Sequence, residues 1–578
     1  MSLAQELLDE AIWFTDSSPQ QRAAFEAYKA MDSYDTIYDS MAFDTETTGL
    51  TFGVPAPLHT KGGDIWVDDI CVFGTSLCFM VEDQLYLAWG RIGSDFFHEC
   101  NDMVMHECPK VGHNVRYDWK TLANSGVKVE SKVHDTLTMA RLVWNRRMKF
   151  DLKALTKIVY PEGEGYEDEL KAVHRNIKSS YTRAGYPKDY ANYSFIPDDI
   201  CGKYAMMDTF VTWLLHLRLM PDIVADHAKV YKREMRIVEV VKNIEMVGVP
   251  FNRRVARKEI VKLRNTLEPL KGRLEKMVGY EFNPNSPKQM QGVLFDLGVP
   301  KKLLTITVKG KKKVTTEKET LQKAVIKLNK PKVTKFVDTL FKLRSCKKML
   351  GTYLEPLLKR AQYNNGIIYC GINPTDTRTG RMSSSNPNLQ NIPRPDTGAD
   401  EDGDNPVRKC FGCKPGYFNM YIDYAQMEMW LFAIIANEMR MLAALQQGAD
   451  IHATVAYDIY GDEAFVDKGK ECQILQQDFT LLDAIIDKVL RFKSKKVNFG
   501  ILYGMGFRTL AVSIKSPEIE AYDLRRAYLD RYPRITEYNE ELSDLLRMQG
   551  YVTGLFGKRY NIAYGNAYKA INALVQGG

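Results

Sequence analysis

Nowhere in the 578 residues is there an uninterrupted apolar run of the ~18 residues that a membrane span needs. The opening segment MSLAQELLDEAIWF is acidic and amphipathic, so it lacks the basic-then-apolar order of a secretory signal. A cytoplasmic location and no membrane partner are therefore expected. The ten cysteines are scattered, with one CxxC at Cys410 and Cys413 and no second pair at zinc-finger spacing. That excludes a disulfide framework and favours reduced thiols over a zinc site. Acids are scarce between Lys301 and Lys348, where Glu317, Glu319 and Asp338 face fifteen lysines and Arg344. Such a block suits a polyanion through counterion release, although any single lysine is as well explained by solvation.

What is present is ordinary for a globular protein: 45% apolar and 26% charged residues, with a net charge of +7. Since single cores stop growing near roughly 250–300 residues, several domains are expected. Three short stretches in the first third then concentrate acids. MAFDTETTGL has the pattern of a strand running into a turn, and residues two apart on a strand face the same way, so Asp44 and Glu46 converge. Such a pair either holds a divalent metal with hard oxygen ligands or sits solvated on an edge strand. In GHNVRYDWKTL, Asn114 and Asp118 are four apart and share a helix face; in YAMMDTFVTWLL, Tyr204 and Asp208 repeat that spacing on an apolar helix. A carboxylate buried there is costly unless paired or bound to metal. Either helix could also be structural. His134-Asp135 is expected to be scaffold.

In order and distance these three pieces resemble the exonuclease motifs of proofreading DNA polymerases, the subtype with four acids and a tyrosine, over about residues 36–225. The resemblance implies that Asp44, Glu46 and Asp208 hold one magnesium ion, that Asp118 holds a second through water, and that Tyr204 orients the attacking water. Single-stranded 3′ ends are the implied substrate.

The rest of the chain resembles family A DNA polymerases. EMRIVEVVKNIEMVGVPFN reads as an amphipathic helix closed by Gly248, and Ser286 with Pro287 reads as a helix start. With the lysine block they look like the family's thumb, which lies along the minor groove. TDTRTGRMSSSNPNLQNIPR matches the family's palm motif, implying that Arg381 and Gln390 touch the minor-groove side of primer and template. In YFNMYIDYAQMEMW, FNMYID reads as a strand ending at Asp423, with a helix beginning near Ala425. This resembles motif A, which implies that Asp423 binds both magnesium ions of the synthetic site and that Glu428 is the steric gate against a ribose 2′ hydroxyl. Trp430 departs from the basic residue usual there. His452 in DIHATVAYDIYG matches a phosphate-touching histidine.

RFKSKKVNFGILYGMG sets Arg491, Lys495, Phe499 and Tyr503 four apart, each turned by about 40° on a helix, a stripe spanning roughly 18 Å. It matches motif B, which implies that Arg491 and Lys495 neutralise the phosphates of a deoxynucleoside triphosphate, Phe499 packs on its sugar and Tyr503 stacks near the templating base. GYVTGLFGKRYNI reads as a strand pair, and YKAINALVQGG matches a helix whose Asn572 and Gln576 approach the minor groove.

The implied fold class is α+β and multidomain. An RNase H-like 3′→5′ exonuclease domain (1–225) is expected to precede a right-hand polymerase: thumb and start of palm (226–372), palm (373–440), fingers (441–545) and a return to palm (546–578). The family's His-Asp-Glu hairpin, whose aspartate is the second metal-binding carboxylate, has no match here. The expectation is therefore the N-terminal part of a replicative DNA polymerase, of phage type by its size and by the lack of a flap-nuclease domain. It would need a complementing C-terminal polypeptide for synthesis on primer-template. The alternative is a stand-alone 3′→5′ exonuclease on a polymerase-like body.

Overall fold

The computed structural model describes residues 2–15, 40–49, 55–60, 62–81, 84–145, 148–188, 190–308, 310–377, 379–393, 405–464, 487–514, 516–566 and 568–577. Cys472 lies outside them. Nine cysteines lie within them, all free thiols, as expected.

The first unit is built on a mixed sheet. Its strands are β1 (Ile12–Phe14), β2 (Met41–Thr47), β5 (Val72–Val81), β6 (Gln84–Arg91), β7 (Lys110–Gly112) and β8 (Val133–Asp135), and β3 (Ala56–Thr60) and β4 (Gly63–Val67) form a separate hairpin. The order is β1-β6-β5-β2-β7-β8. β2 runs antiparallel to β5 and parallel to β7, which puts it inside the sheet with neighbours on both edges. β5 is buried along almost its whole length because both faces are covered, so it shows a continuous apolar run rather than alternation. The helix Asp198–Asp222 crosses the sheet with apolar residues all round. Trp89 of β6 is wedged between β5 and that helix: a Cβ on Gly74 would lie 1.9 Å from its ring and one on Gly202 2.6 Å. Its indole N–H donates to Asp198 at 2.8 Å, satisfying the buried donor.

The Asp198–Asp222 helix passes through a π-helical turn, Ile223–His227, into the helix Ala228–Val247, which starts six residues earlier than expected from Glu234. Gly248 closes it at φ 65, where a side chain would strike Ile367 and Tyr369. The second unit follows. The helix Arg253–Val278 packs on Pro331–Lys348 around its own core of Leu274, Met290, Leu294, Phe336 and Leu340. Ser286 caps the helix Pro287–Asp296 by accepting from Gln289 N–H, with Pro287 at the first helical position, as the sequence predicts. The lysine block folds partly as an antiparallel hairpin, β10 (Thr305–Val308) with β11 (Lys311–Val314), on which Lys311, Lys312 and Lys313 are exposed. The short pair β9 (Val249–Pro250) with β12 (Ile367–Ile368) ties this unit's two ends together.

The last third has a third core, formed by Met429, Phe432, Val455, Val497, Ile501, Tyr528, Leu574 and their neighbours. It contains β13 (Gly371–Asn373) paired with β14 (Ser383–Ser385), and β15 (Tyr551–Thr553) paired with β16 (Arg559–Asn561), the strand pair expected from GYVTGLFGKRYNI. The helix Lys569–Gln576 packs on Met427–Ile435.

Two local expectations are corrected. Asn114 is not on the helix with Asp118; it has φ 57 and sits before Arg116–Asn124, a left-handed turn that asparagine tolerates. The segment Phe418–Asp423 is not a strand, and the helix after it begins at Met427. A strand exists only with a neighbour to share its ladder, and no described segment pairs with this one. As a result Tyr417, Phe418, Met420, Tyr421, Ile422 and Tyr424 are all 69–89% exposed.

Candidate active sites

The first candidate site lies at the middle of the first sheet. β2 presents Asp44 and Glu46, the helix Arg116–Asn124 supplies Asp118, and Asp198–Asp222 supplies Tyr204 and Asp208. Thr45 fixes Asp118 by donating from its backbone N–H at 3.2 Å and its hydroxyl at 2.6 Å to the same carboxylate oxygen. Asp44 and Asp118 also share a hydrogen bond. Burial, and then repulsion from Asp118, Glu46 and Asp208, push the Asp44 carboxyl well above the usual range. Burial and the Asp208 charge push Glu46 up to about 8, and burial lifts Asp118 to about 6 against the Thr45 hydrogen bonds. The structure thus brings together the four acids and the tyrosine that the sequence singled out.

Two residues that spacing alone did not reveal complete this site. Lys153 and Tyr166 both donate to Asp208 Oδ1, and Lys153 Nζ lies 2.6 Å from the Tyr166 hydroxyl. Among the described residues no three His, Cys, Asp or Glu side chains are set to hold a metal ion as they stand. The donor set nevertheless fits one: buried, hard carboxylate oxygens, with Asp44 and Glu46 pushed up by burial and then by neighbouring acids, and with a lysine ammonium drawn onto Asp208. His134 and Asp135 are scaffold: His134 bonds the Tyr231 hydroxyl at 3.0 Å, and Asp135 caps the helix Thr136–Val143.

These shifts carry a pH prediction. Carboxyls whose folded pKa exceeds the unfolded value contribute stability that is full below about pH 4.5 and is lost as pH rises through about 8. In EDTA the first unit is expected to melt at a lower temperature at pH 8 than at pH 6. Glu46→Gln should flatten that slope, and a divalent ion should reverse it by favouring the ionised acids. A melting curve independent of pH over this window would contradict the buried, mutually repelling arrangement.

The second candidate site gathers, in two linked groups, residues that the sequence resemblance assigns to a nucleotide site. In one, Glu428 accepts from Arg381 and from the Tyr503 hydroxyl, and Tyr503 is further hydrogen-bonded to Gln576. In the other, Arg491 pairs with Asp450, which caps the helix Ile451–Tyr460 through the N–H groups of His452 and Ala453. His452 Nδ1 lies 2.7 Å from Asn498 Nδ2, and burial lowers its pKa to about 4. The stripe on Lys488–Leu502 holds: Lys495 Nζ is 5.9 Å from the Phe499 ring centre, and Phe499 and Tyr503 are stacked at 6.1 Å. Gln426, at φ 52, bridges the groups by accepting from Ile451 N–H and donating to Ala449.

Gly380, at φ 84, brings the Arg381 loop to within 3.2 Å of Gly577, measured from the Cβ a side chain would have. Among the described residues, Asn572 Oδ1 is buried without a hydrogen-bond partner. Gln390 is exposed and donates to Met382 O at 3.2 Å. Asp423 stands apart on the exposed segment, and among the described residues it makes no ion pair or side-chain hydrogen bond. Trp430 is packed against the third core.

The units are joined by charged contacts. Glu245 is almost fully buried and receives Lys120 Nζ at 2.9 Å, Arg116 at 3.3 Å and the Ile372 N–H at 2.5 Å. Arg141 pairs with Asp376 at 2.8 Å, and Lys558 and Arg559 reach Glu234 and Asp226.

Residues 253–578 match the model of DNA polymerase family A. The chain belongs to that family. It is similar to DNA polymerase I of Chloroflexus aurantiacus, with 27% identity over 90% of this chain and 50% of that one. It is similar also to DNA polymerase I of Pseudomonas aeruginosa, with 28% identity over 96% of this chain and 57% of that one. The chain thus spans about half the length of these curated relatives. Its fold resembles the POL domain of Pol1 from M. smegmatis, solved with DNA primer-template and dNTP: the TM-score is 0.68 at 21% identity, covering 97% of this chain and 85% of that one. No described helix is long and apolar enough to cross a membrane.

Proposed function

We propose that the chain belongs to a replicative, phage-type DNA polymerase with a 3′→5′ editing exonuclease: its nuclease acids are gathered in one pocket, while Asp423 stands on an exposed segment. One observation carries the nuclease half: four carboxylates from segments far apart in sequence are pressed together in a buried pocket beside Tyr204. Asp44, Glu46, Asp118 and Asp208 would hold two magnesium ions. When bound, those ions lower the pKa of water and stabilise the departing 3′ oxygen. The chain's own residues orient and exclude. Thr45 holds Asp118 in place, Tyr204 aims the attacking water, and the covered sheet keeps bulk water from the acids. The test is release of mononucleotides from a 3′-labelled single strand, active with magnesium and silent with EDTA.

For synthesis, Arg491, Lys495 and His452 would meet the triphosphate, Phe499 and Tyr503 the sugar and template base, and Glu428 the position of a 2′ hydroxyl. Arg381, Gln390, Asn572 and Gln576 would follow the minor groove, where acceptors recur at every base pair. Asp423 would hold metal on a segment whose backbone and apolar side chains are open. A further segment that pairs with it and brings another carboxylate beside Asp423, in this protein or in a second polypeptide, would cover it. Primer extension by residues 1–578 is expected only when such a segment is supplied. Extension without it would overturn this half. Full nuclease activity with no gain from any complementing polypeptide would favour the second reading, a stand-alone exonuclease, for which the isolation of Asp423 is the supporting observation. Domain limits are proposed at 1–225, 226–372, 373–440, 441–545 and 546–578; the last three share one core, and the first boundary is proposed at the π-helical turn Ile223–His227.

A further inference from the structure

Lys153 occupies the second position of the helix Leu152–Val159, whose start is fixed by Asp151 accepting from Ala154 N–H at 3.1 Å. From there its side chain enters the nuclease pocket. The ammonium pairs with Asp208, donates to the Tyr166 hydroxyl, and lies 4.3 Å from the ring centres of both Tyr166 and Tyr204. Two aromatic faces and a carboxylate thus form a cage for one cation. Lys153 is 26% exposed against 8% for Asp208, so it reaches in from the solvent side of the acid.

Asp208 Oδ1 already has two donors, Lys153 and Tyr166. It cannot also take a divalent ion on that oxygen unless the ammonium moves. A lysine can do so because its four-carbon stem is flexible, and the two rings offer a surface along which the charge stays stabilised. On the open side of the pocket, the group needing a cation is the phosphodiester to be cut, whose non-bridging oxygens carry the negative charge.

We propose that Lys153 is a further catalytic residue of the nuclease site: its ammonium neutralises Asp208 while no divalent ion is bound, and passes to a non-bridging oxygen of the scissile phosphate when metal and DNA enter. This rests on the nuclease reading above. In the step itself the water oxygen bonds to phosphorus as the P–O3′ bond breaks. The water gives its proton to solvent, the leaving 3′ oxygen takes one from solvent, and Lys153 stays protonated throughout.

The test uses the full chain with Lys153→Met and Lys153→Arg. Manganese binding without DNA is measured by calorimetry, and turnover on a 3′-labelled single strand by product release. With the competing ammonium gone, K153M should bind manganese about tenfold tighter, yet digest on the order of 100-fold more slowly. K153R should recover most of the turnover. Wild-type metal affinity and turnover in K153M would overturn the proposal, as would weaker metal binding with slower digestion, which marks a merely structural lysine. If the wild-type chain does not digest DNA while K153M still tightens manganese, the nuclease reading fails, and with it the transfer to phosphate. The competition for Asp208 would then stand alone.

Discussion

Replacing Asp44 and Glu46 together by alanine is expected to remove digestion of single-stranded 3′ ends while leaving the chain folded. Both side chains project from one face of β2, a strand held on both edges by β5 and β7, so the backbone does not depend on them. Their burial costs the metal-free protein stability, since each carboxyl is pushed up by desolvation and by its neighbours. Removing them relieves that repulsion, and the double variant should melt at or above the wild-type temperature in EDTA at pH 8. Losing the two proposed metal ligands should remove about 4 kcal/mol or more of transition-state stabilisation, on the order of 1,000-fold in rate. The measurement is mononucleotide release beside a melting curve. Retained digestion would show that these acids are not the metal site.

Glu245→Ala is expected to produce the largest loss of stability among single substitutions at the junction of the units. Glu245 receives Arg116 and Lys120 from the helix Arg116–Asn124 beside the first sheet and the Ile372 N–H from β13. Without it, Arg116 and Lys120 lose a buried carboxylate in a nearly dry contact and a backbone donor loses its acceptor. Breaking one side of a buried ion pair costs about 3–5 kcal/mol. Glu245→Gln, which keeps an acceptor for Ile372 but not the charge, should fall between. Urea unfolding followed by hydrogen exchange at β13 and Arg116–Asn124 checks it. An alanine variant as stable as wild type would mean that this triad contributes nothing to holding the units together.

How far the chemistry was legible depended on how local it is. The acid pair on β2 follows from a two-residue period, and Tyr204 with Asp208 from a four-residue one, so both were readable from spacing. The motif stripe Arg491 to Tyr503 was readable for the same reason, and the structure keeps it on one helix, with Tyr503 as the C-cap. Lys153 and Tyr166 were not, because they meet Asp208 across 55 and 42 residues of chain, with no repeat to announce the contact. Glu245 likewise looked like an ordinary acid on an amphipathic helix; its partners lie 125 residues or more away. The Phe418–Asp423 segment failed in the opposite direction. Its composition favours a strand, but composition cannot supply the neighbouring ladder. Asn114 failed because side-chain spacing says nothing about a left-handed backbone.

The central claim is that acids from separate parts of the chain meet around divalent cations in the nuclease pocket. The most direct measurement is anomalous scattering from a crystal of the chain soaked in manganese. The account predicts density bounded by Asp44, Glu46 and Asp208, a second site near Asp118, and Lys153 withdrawn from Asp208. Saturating manganese that leaves this pocket empty, with Lys153 still paired to Asp208, would contradict it.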